Sequence, residues 1–593
     1  MRHTTFVFFL CLAMFVQAEN AVYQDVNYTI DPDTHFAEVT LNPYASGELY
    51  IPAEIPVGQD TYRVTTIGEN AFRGCKSLTA IVLPPTIERI YRSAFEGTGI
   101  MLNRDNWTDG ALYIDSCLIA ADKTIKPKFI VPDGTRVIAA GAFRGNKPLV
   151  RVEFPASVCR IDHDTFRDCK NLTRATIPLT VTEIGEDAFT NSGIWNNDKK
   201  WRRGALFIDG CLISVKEQAP ANFVFKTKIP TRLIAAGAFS ENRTLQTITL
   251  PDGLTHIPTA AFYKCENLTR VVIPASVQRV ENFAFYGCTL LQEATLPADL
   301  QSIGMGAFYG CEYLEEQVLS PRLTVIPKGC FSLCRTLESI TLPEHLRKID
   351  EAAFAGCSAL QDILLPATLR ELGDMAFSGC TQFEEIVIPE QVSNLPKGVF
   401  SDCTHLRHVT LPDGIYAIGD EAFKGCVSLE RINIPFTTFR IGKFAFQNCQ
   451  QLRELALVEH IHVIEEGAFK ECKMLEEITL PASLKVLSKS TFAQCISLRQ
   501  IHFPARLTTI EDGACYDCRQ LGELLLPDSL QTIGDYAFTN CKNLRRVTFP
   551  VGLKQIGSFA FRDCESLSLP TTTASLPPTV LVAKNAFKGC KTK

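Results

Sequence analysis

Residues 245–268 read LQTITLPDGLTHIPTAAFYKCENL, and close variants of this stretch fill most of the chain. Its Ile-Thr-Leu segment alternates apolar and polar residues as a strand does, and Pro251 ends that strand because proline donates no backbone hydrogen bond. Residues 254–257 form a second short extended piece, and glycine or proline follows it at a bend in many copies. The three-residue spacing from Phe262 to Cys265 predicts a single helical or 3₁₀ turn.

One column of phenylalanines sets the length of the repeat at 23 residues. Its members lie 23 residues apart or at a multiple of that spacing: Phe239, Phe262, Phe285, Phe308, Phe331, Phe354, Phe377, Phe400, Phe423, Phe446, Phe469, Phe492, Phe538 and Phe561. Cys515 fills the one vacant position. A fixed period of about 20 to 50 residues is typical of a solenoid, in which each repeat packs only on its neighbours. The column is therefore predicted to form a buried aromatic spine.

The chain also has 23 cysteines, of which 17 lie three residues after a position of this column or after the equivalent Phe72, Phe166 and Phe587. Their spacing follows the repeat and matches neither a metal site nor a disulfide framework. We expect a ladder of small buried side chains, because free cysteine is among the most buried residue types. Cys515 and Cys518 have the spacing of a redox pair, but both fall on predicted core positions. The sequence leaves open whether any of the cysteines pair.

These patterns predict a β-rich solenoid of about 21 coils, with a parallel β-sheet and short 3₁₀ or helical turns, capped at both ends. A globular chain of 593 residues would be expected to have several domains, but a repeated chain grows by stacking coils, so this expectation does not apply. The formal net charge of -6 is small for this size and argues against a nucleic-acid binder, which would be basic.

The departures from the period divide the chain. Residues 66–566 are assigned to the solenoid, residues 19–65 to an N-terminal β cap, and residues 567–593 to a C-terminal linker and terminal capping repeat. Residues 1–18 have a basic start, an apolar core and small residues before Ala18, which predicts a secretory signal peptide cleaved after Ala18. The mature protein is then secreted or lies at the cell surface. No other stretch is long and apolar enough to cross a membrane.

Two insertions near residues 97–130 and 191–228 interrupt the period and resemble each other. Each combines an apolar strand, an Asp-Ser or Asp-Gly pair and a second apolar strand, which predicts a β-hairpin. Trp107, Trp195 and Trp201, the three tryptophans of the chain, lie just ahead of these hairpins. The favoured interpretation is that the rings pack the hairpins onto the solenoid. The alternative is an aromatic contact site, since tryptophan is enriched at binding hot spots.

Charged residues occupy outward positions of the predicted strands. Acidic ones follow the leading leucine or phenylalanine of four successive coils: Glu315, Glu316, Glu338, Asp362, Glu384 and Glu385. Basic ones occupy the same positions in later coils, among them Arg407, Arg545 and Arg546. Stacked like charges repel, a cost that folding alone does not require. The favoured interpretation is a solvated face that keeps the sheet soluble, and the functional alternative is a surface for a basic partner segment or a cation.

The recurring pattern Leu-x-x-Ile-x-Leu-Pro-x-x-Leu-x-x-Ile-x-x-x-Ala-Phe-x-x-Cys resembles the BspA-like subclass of leucine-rich repeats over about residues 66–566. The strand-rich start and the hairpins are similar to those of secreted members from Bacteroidetes bacteria. The resemblance implies a leucine-rich-repeat solenoid that binds host matrix proteins or other cells, and it implies no catalytic residues. The chain departs from the pattern at Cys515, at Val458 in place of proline, and after Leu567.

The chain carries no metalloprotease, phosphate-loop or nucleophile-elbow motif, so we predict no enzyme, cofactor or metal site. The favoured function is a secreted or cell-surface, non-enzymatic solenoid that binds a host matrix or cell-surface protein. The alternative is a glycan-binding surface component that uses the tryptophan-bearing insertions, and a passive spacer is a third. These functions rest partly on resemblance.

Overall fold

The computed structural model describes residues 19–32, 34–569, 576 and 579–592. The predicted signal peptide and most of the Thr/Ser/Pro-rich linker at residues 570–578 lie outside the described residues. The chain forms two compact units. The first holds the described residues up to Pro220 together with Phe225–Ser240, and the second holds Ala221–Val224 and the described residues from Glu241 onward. Both contain stacked coils with parallel strands, which confirms the predicted solenoid.

Most coils of the second unit begin with a strand of two or three residues, and two have only an isolated bridge there, at Asp362 and at Glu454. Thr247 pairs with Arg270, and Arg270 pairs with Glu293, so parallel neighbours are offset by one repeat. In these strands a buried residue lies between two outward ones. The first strands are Asn222–Phe223, Thr247–Thr249, Arg270–Val272, Glu293–Thr295, Glu316–Val318, Ser339–Thr341, Glu385–Val387, His408–Thr410, Arg431–Ile432, Glu477–Thr479, Gln500–His502, Glu523–Leu525, Arg546–Thr548, Ser568–Leu569 and Lys591–Thr592.

A second strand of two residues follows after the predicted bend, and it forms its own parallel ladder. Its last residue points into the core in every coil except the last, where Val582 is exposed. These strands are His256–Ile257, Arg279–Val280, Ser302–Ile303, Val325–Ile326, Lys348–Ile349, Glu371–Leu372, Asn394–Leu395, Ala417–Ile418, Arg440–Ile441, Val463–Ile464, Val486–Leu487, Thr509–Ile510, Thr532–Ile533, Gln555–Ile556 and Leu581–Val582.

The segment that contains the Ala-Phe pair is a run of tight turns. Cys265 N–H donates to the Phe262 carbonyl at 3.0 Å, the i to i−3 bond of a 3₁₀ turn. No helix propagates, because the backbone is left-handed at Ala260 (φ 53°) and Lys264 (φ 52°). The Phe262 N–H instead donates to Ala284 of the next coil at 2.8 Å, so the turns too are laddered between coils.

The phenylalanine column forms the predicted spine. From Phe262 to Phe492, successive ring centroids lie 5.1–5.7 Å apart and the rings are stacked. Phe354 is fully buried. Stacked aromatic pairs contribute about 0.5–1.5 kcal/mol beyond the burial of their area. The spine therefore stabilises each coil both by burial and by contact with the coils on either side.

The cysteine ladder is buried beside the spine, as predicted. Each thiol has a fixed partner: Cys288 Sγ donates to the Phe262 carbonyl at 3.0 Å, and Cys311 Sγ to the Phe285 carbonyl at 3.3 Å. Burial raises the pKa of Cys357 to about 12, which disfavours the reactive thiolate. All cysteines of the described residues are free, and Cys159 is the exposed one among them.

Cys515 interrupts the spine, and its replacement tests how much the stacked rings contribute. Cys515 is fully buried between the coils of Phe492 and Phe538, and we expect Cys515→Phe to raise the free energy of unfolding by about 1–2 kcal/mol. Urea unfolding followed by far-ultraviolet circular dichroism measures the change. Cys515→Ser is the matched control, since it supplies no ring, and an unchanged or lower stability of Cys515→Phe would contradict the expectation.

The first unit begins with a sheet that connects antiparallel strands to the parallel solenoid. In the order of pairing, its strands are Glu19–Tyr23, Val26–Asp31, Phe36–Val39, Asp60–Ile67 and Glu54–Val57, and Arg89–Ile90 pairs in parallel with Asp60–Ile67. A separate parallel pair is Gly47–Tyr50 with Leu78–Val82. Later coils contribute Lys128–Ile130, Arg151–Glu153, Arg160–Ile161, Arg174–Thr176 and Glu183–Ile184. Buried residues of the N-terminal strands, such as Tyr28 and Val39, pack in one hydrophobic cluster with Phe72 and Phe95 of the first coils.

Both insertions contain the predicted hairpin. The first comprises an α-helical turn at Gly99–Leu102, a 3₁₀ turn at Arg104–Asn106, and strands Trp107–Thr108, Ala111–Ile114, Cys117–Ala121 and Val137–Ile138. The second comprises a 3₁₀ turn at Asp198–Lys200 and strands Trp201–Arg202, Ala205–Ile208, Cys211–Val215 and Leu233–Ile234. In each, the last strand pairs in parallel with the hairpin, so the hairpin joins the coil that follows it.

Candidate protein-binding surfaces

The six acidic residues singled out from the sequence lie at or directly before the first strands of four successive coils, or, for Asp362, in the matching bridged segment. We call Glu315, Glu316, Glu338, Asp362, Glu384 and Glu385 the acidic strand surface. Glu316 pairs in register with Ser339, which in turn bridges to Asp362. All six are exposed. Within the described residues none of the six has a Lys or Arg nitrogen within 4.0 Å, although charges elsewhere on the strands are paired.

Three exposed apolar side chains interrupt this charge. Val318, Leu364 and Val387 occupy the next outward position of their strands or of the matching segment, and they are 67%, 87% and 64% exposed. The sequence pattern does not distinguish them, because an apolar residue next to a predicted strand is expected in the core. Val387, for example, lies between the buried residues Ile386 and Ile388, and this alternation places its side chain outside. The acidic strand surface is therefore amphipathic.

The basic residues predicted for the later coils do not form a matching basic surface. Arg407, Arg545 and Arg546 are exposed on the strands, as expected. Acidic residues alternate with them, however, and Arg546 makes an ion pair with Glu523 at 3.4 Å. Arg499 likewise pairs with Glu476 at 3.7 Å. Carboxylates of neighbouring coils thus neutralise Arg499 and Arg546.

The tryptophans of the insertions are half-buried and hold the inserted segments in place. Trp107 Nε1 donates to the Met101 carbonyl at 3.0 Å. Trp201 Nε1 donates to the Trp195 carbonyl at 2.7 Å, and the two indole rings meet edge to face at 5.0 Å. All three rings pack against the hydrophobic core. This packing agrees with the favoured interpretation, while their exposed edges remain available to a ligand.

The hairpin tips are tied to the coils on both sides. Asp115 Oδ2 accepts the Leu83 N–H at 2.8 Å, and Asp209 Oδ2 accepts the Ile177 N–H at 2.9 Å. Each carboxylate thus satisfies a strand donor that would otherwise lack a partner at the interruption of the sheet. Arg136 reaches back from the next coil to Pro85, as Arg232 does to Pro178. The turn aspartates of the two hairpins therefore have a structural role that their sequence did not reveal.

A buried polar network lies in the first unit between the cap and the later coils. Arg89 contacts Asp162 at 3.2 Å and Glu183 at 3.8 Å. Glu38 lies near this guanidinium, with its carboxylate against the Cα of Gly68 where no side chain would fit. Burial raises the pKa of Glu38 to about 7, and Arg89 only partly opposes that rise. The network is a consequence of stacking charged strand positions rather than a cleft with convergent groups.

Neither a metal cluster nor a membrane span is present in the part of the chain that the structure describes. Among those residues, no three His, Cys, Asp or Glu side chains are placed to hold a metal ion. No helix there combines the length and apolar character needed to cross a bilayer.

Comparison with solved structures gives leucine-rich-repeat proteins. A leucine-rich repeat protein from Bacteroides ovatus is 20% identical, with 97% of this chain and 99% of that one covered and a TM-score of 0.38. A leucine rich cell surface protein from Faecalibacterium prausnitzii is 19% identical, with 82% and 94% covered and a TM-score of 0.33. A leucine rich repeat protein from T. pallidum is 28% identical, with 29% and 77% covered and a TM-score of 0.26.

No curated protein matches the chain. The family profile described as "BspA type Leucine rich repeat region" matches in six copies, at residues 59–117, 121–198, 222–337, 324–453, 416–545 and 508–593. These matches cover most of the sequence and coincide with the stacked coils, their phenylalanine spine and their cysteine ladder. The chain belongs to the BspA-type leucine-rich-repeat family.

Proposed function

We propose that this chain is a secreted or cell-surface, non-enzymatic protein that binds a protein partner through its acidic strand surface. The partner carries a basic segment with apolar side chains, and a host matrix protein or a protein of another cell is the class we expect. Secretion rests on the predicted signal peptide at residues 1–18. The function is of the adhesion class, since the solenoid offers an extended sheet face and no catalytic motif.

One contrast within the sheet supports this proposal. In several other coils of the second unit, charges that stack in register have opposite signs and meet: Arg270 pairs with Glu293 at 2.9 Å, and Arg546 with Glu523 at 3.4 Å. The acidic strand surface lacks such pairs, although strands stack only about 4.8 Å apart. Glu315 and Glu338 lie at equivalent positions of neighbouring coils, and like charges at that spacing destabilise the fold. A basic partner segment would remove this repulsion on binding, and folding alone gives no reason to keep it.

The exposed aliphatic side chains complete the argument. Val318, Leu364 and Val387 leave apolar area in water that a partner would cover. Apolar anchors surrounded by charge are typical of protein interfaces, where burial contributes affinity and charge contributes steering and register. A small cation would use the carboxylates but would leave these side chains exposed, so the surface fits a protein segment better.

We expect the double charge reversal Glu384→Lys/Glu385→Lys to weaken partner binding at least about tenfold, or about 1.4 kcal/mol. The experiment is an array of purified matrix proteins, cell-surface proteins and glycans, probed with the mature chain at low and high salt. Glu390→Lys/Asp413→Lys is the matched control, because both residues are exposed and lie outside the first strands.

Binding that is equal at low and high salt, or equally reduced in the control variant, would contradict the proposal. Binding to glycans alone would favour the alternative function. In that case Trp107→Ala and Trp195→Ala should abolish the signal, while the charge reversal should leave it unchanged.

A further inference from the structure

The two insertions are copies of one structural module with the same internal contacts. Leu112 pairs with Trp107 in the first, as Leu206 pairs with Trp201 in the second. The 3₁₀ turn ahead of each tryptophan is capped by an asparagine, Asn103 in the first. The hairpin tips and the indole N–H groups make equivalent hydrogen bonds in both. Differences between the copies therefore show what the module does not need for folding.

The copies differ in charge at equivalent backbone positions. The first insertion has Asp105, Asn106, Thr108 and Asp109. The second has Lys199, Lys200, Arg202 and Arg203. The ion pair that closes each module is also inverted, with Arg104 on Asp122 at 2.7 Å in the first and Lys216 on Asp198 at 3.5 Å in the second. Both copies therefore keep an ion pair at this place, with its two partners exchanged, whereas the four neighbouring positions are acidic or neutral in the first copy and basic in the second.

We call Lys199, Lys200, Arg202 and Arg203 the basic insertion patch. All four side chains are exposed, and within the described residues none has an Asp or Glu oxygen within 4.0 Å. Arg203 sits at a left-handed position (φ 51°), as Asp109 does in the first copy (φ 50°). Since the first insertion forms the same turns without these four cations, the patch serves something other than the fold.

We propose that the basic insertion patch binds the acidic strand surface of a second copy of this chain. This inference rests on the proposed function, because it takes the acidic strand surface as the docking face and names a partner for it. Four unpaired cations would meet six unpaired carboxylates. Both surfaces are clusters of like charge without ion pairs, and their signs are opposite. The half-buried Trp201 beside the cations would contact the exposed aliphatic side chains.

Such a contact joins two different surfaces, so it is heterologous and leaves one free surface of each kind on every pair. Heterologous contacts build rings or open chains whose size grows with concentration. The attraction is electrostatic between exposed groups, so it acts over about 30 Å at 0.01 M salt and only about 3 Å at 1 M. The chain should therefore self-associate at low salt and dissociate at high salt.

The test is sedimentation velocity of the full mature chain over a range of concentrations, at about 0.01 M and about 1 M salt. We expect the mean mass to rise with concentration at low salt only. Lys199→Glu/Lys200→Glu/Arg202→Glu/Arg203→Glu should weaken association at least tenfold. A control with the same change in net charge is Lys123→Glu/Lys147→Glu/Lys170→Glu/Lys443→Glu at other exposed lysines, and it should weaken association much less. Circular dichroism melts establish that each variant folds.

A charge swap identifies the partner surface. Glu315→Lys/Glu316→Lys/Glu384→Lys/Glu385→Lys should abolish association alone, and a chain with both sets of reversals should recover it. A monomer at low salt, association unaffected by the insertion variant, or failure of the doubly reversed chain to recover would each overturn the inference. Capture of heparin, used as a polyanion probe, by a chain that stays monomeric would also overturn it and would make an anionic polymer the ligand.

The array experiment separates the two proposals. In one outcome the chain binds a matrix or cell-surface protein in a salt-sensitive way, loses that binding in Glu384→Lys/Glu385→Lys, and does not self-associate. That result supports the proposed function and overturns this inference. If the chain instead self-associates, recovers association in the charge swap and binds no protein of the array, this inference is supported. The proposal that the partner is a different protein is then overturned.

Discussion

Phe354→Ala is expected to lower the free energy of unfolding of the second unit by about 3–5 kcal/mol. The ring is fully buried and stacks on both neighbours, with centroids 5.6 Å from Phe331 and 5.4 Å from Phe377. Alanine removes the buried ring and its two stacking contacts. It also leaves a cavity, because the hydrogen-bonded coils cannot move together to fill the space. Because a repeat also depends on its neighbours, the loss should spread to the coils on either side.

Urea unfolding and a thermal melt of the variant measure this loss. Thr341→Ala is the control, since Thr341 is exposed on a first strand of the same unit and should change stability by less than about 0.5 kcal/mol. A melt of Phe354→Ala indistinguishable from that of the wild type would contradict the spine as the main stabilising element of the coil.

Glu38→Gln is expected to stabilise the first unit by about 2–3 kcal/mol above pH 7 and to have little effect below pH 4. Burial raises the pKa of the Glu38 carboxyl from 4.5 to about 7. Between those values the folded chain holds a proton that the unfolded chain has lost, so the stability of the wild type falls as the pH rises. Glutamine carries no charge and removes that dependence while keeping the shape.

The measurement is the free energy of unfolding of both chains from pH 4 to pH 8. Glu54→Gln is the control, because Glu54 is an exposed residue of the same sheet. Burial raises the pKa of Glu186 to about 7 as well, so the Glu38→Gln variant retains a pH dependence of its own, and the difference between the two chains reports Glu38. If the difference in free energy of unfolding between Glu38→Gln and the wild type is constant with pH, or largest at acid pH, the raised pKa of Glu38 is contradicted.

Much of the fold could be predicted from the period because a repeat multiplies weak local signals. A single Leu-Pro-x-x-Leu segment says little, but its return every 23 residues fixes the coil length, the strand positions and the buried column. The turn geometry was harder to predict. The three-residue spacing from Phe262 to Cys265 fits a helical turn, whereas the left-handed backbone at Ala260 and Lys264 depends on hydrogen bonds to the next coil.

The candidate surfaces were predicted in part. The acidic residues from Glu315 to Glu385 could be found from the sequence because register follows from the period. The exposure of Leu364 and the pairing of Arg546 with Glu523 could not, since both depend on which side chains meet across strands. Comparison of the two insertions residue by residue would have revealed the basic insertion patch, because the alignment of the hairpins was already apparent.

The sequence by itself determined that this protein is a stacked solenoid with a phenylalanine spine and a cysteine ladder. Those features need only the identity of residues at equivalent positions of each coil, and stacking places like above like. The tertiary structure decided which charges remain unpaired, why the thiols are inert, and how the insertions rejoin the sheet through Asp115 and Asp209. These properties depend on distances and burial between residues of different coils, and a period does not specify side-chain direction or partner.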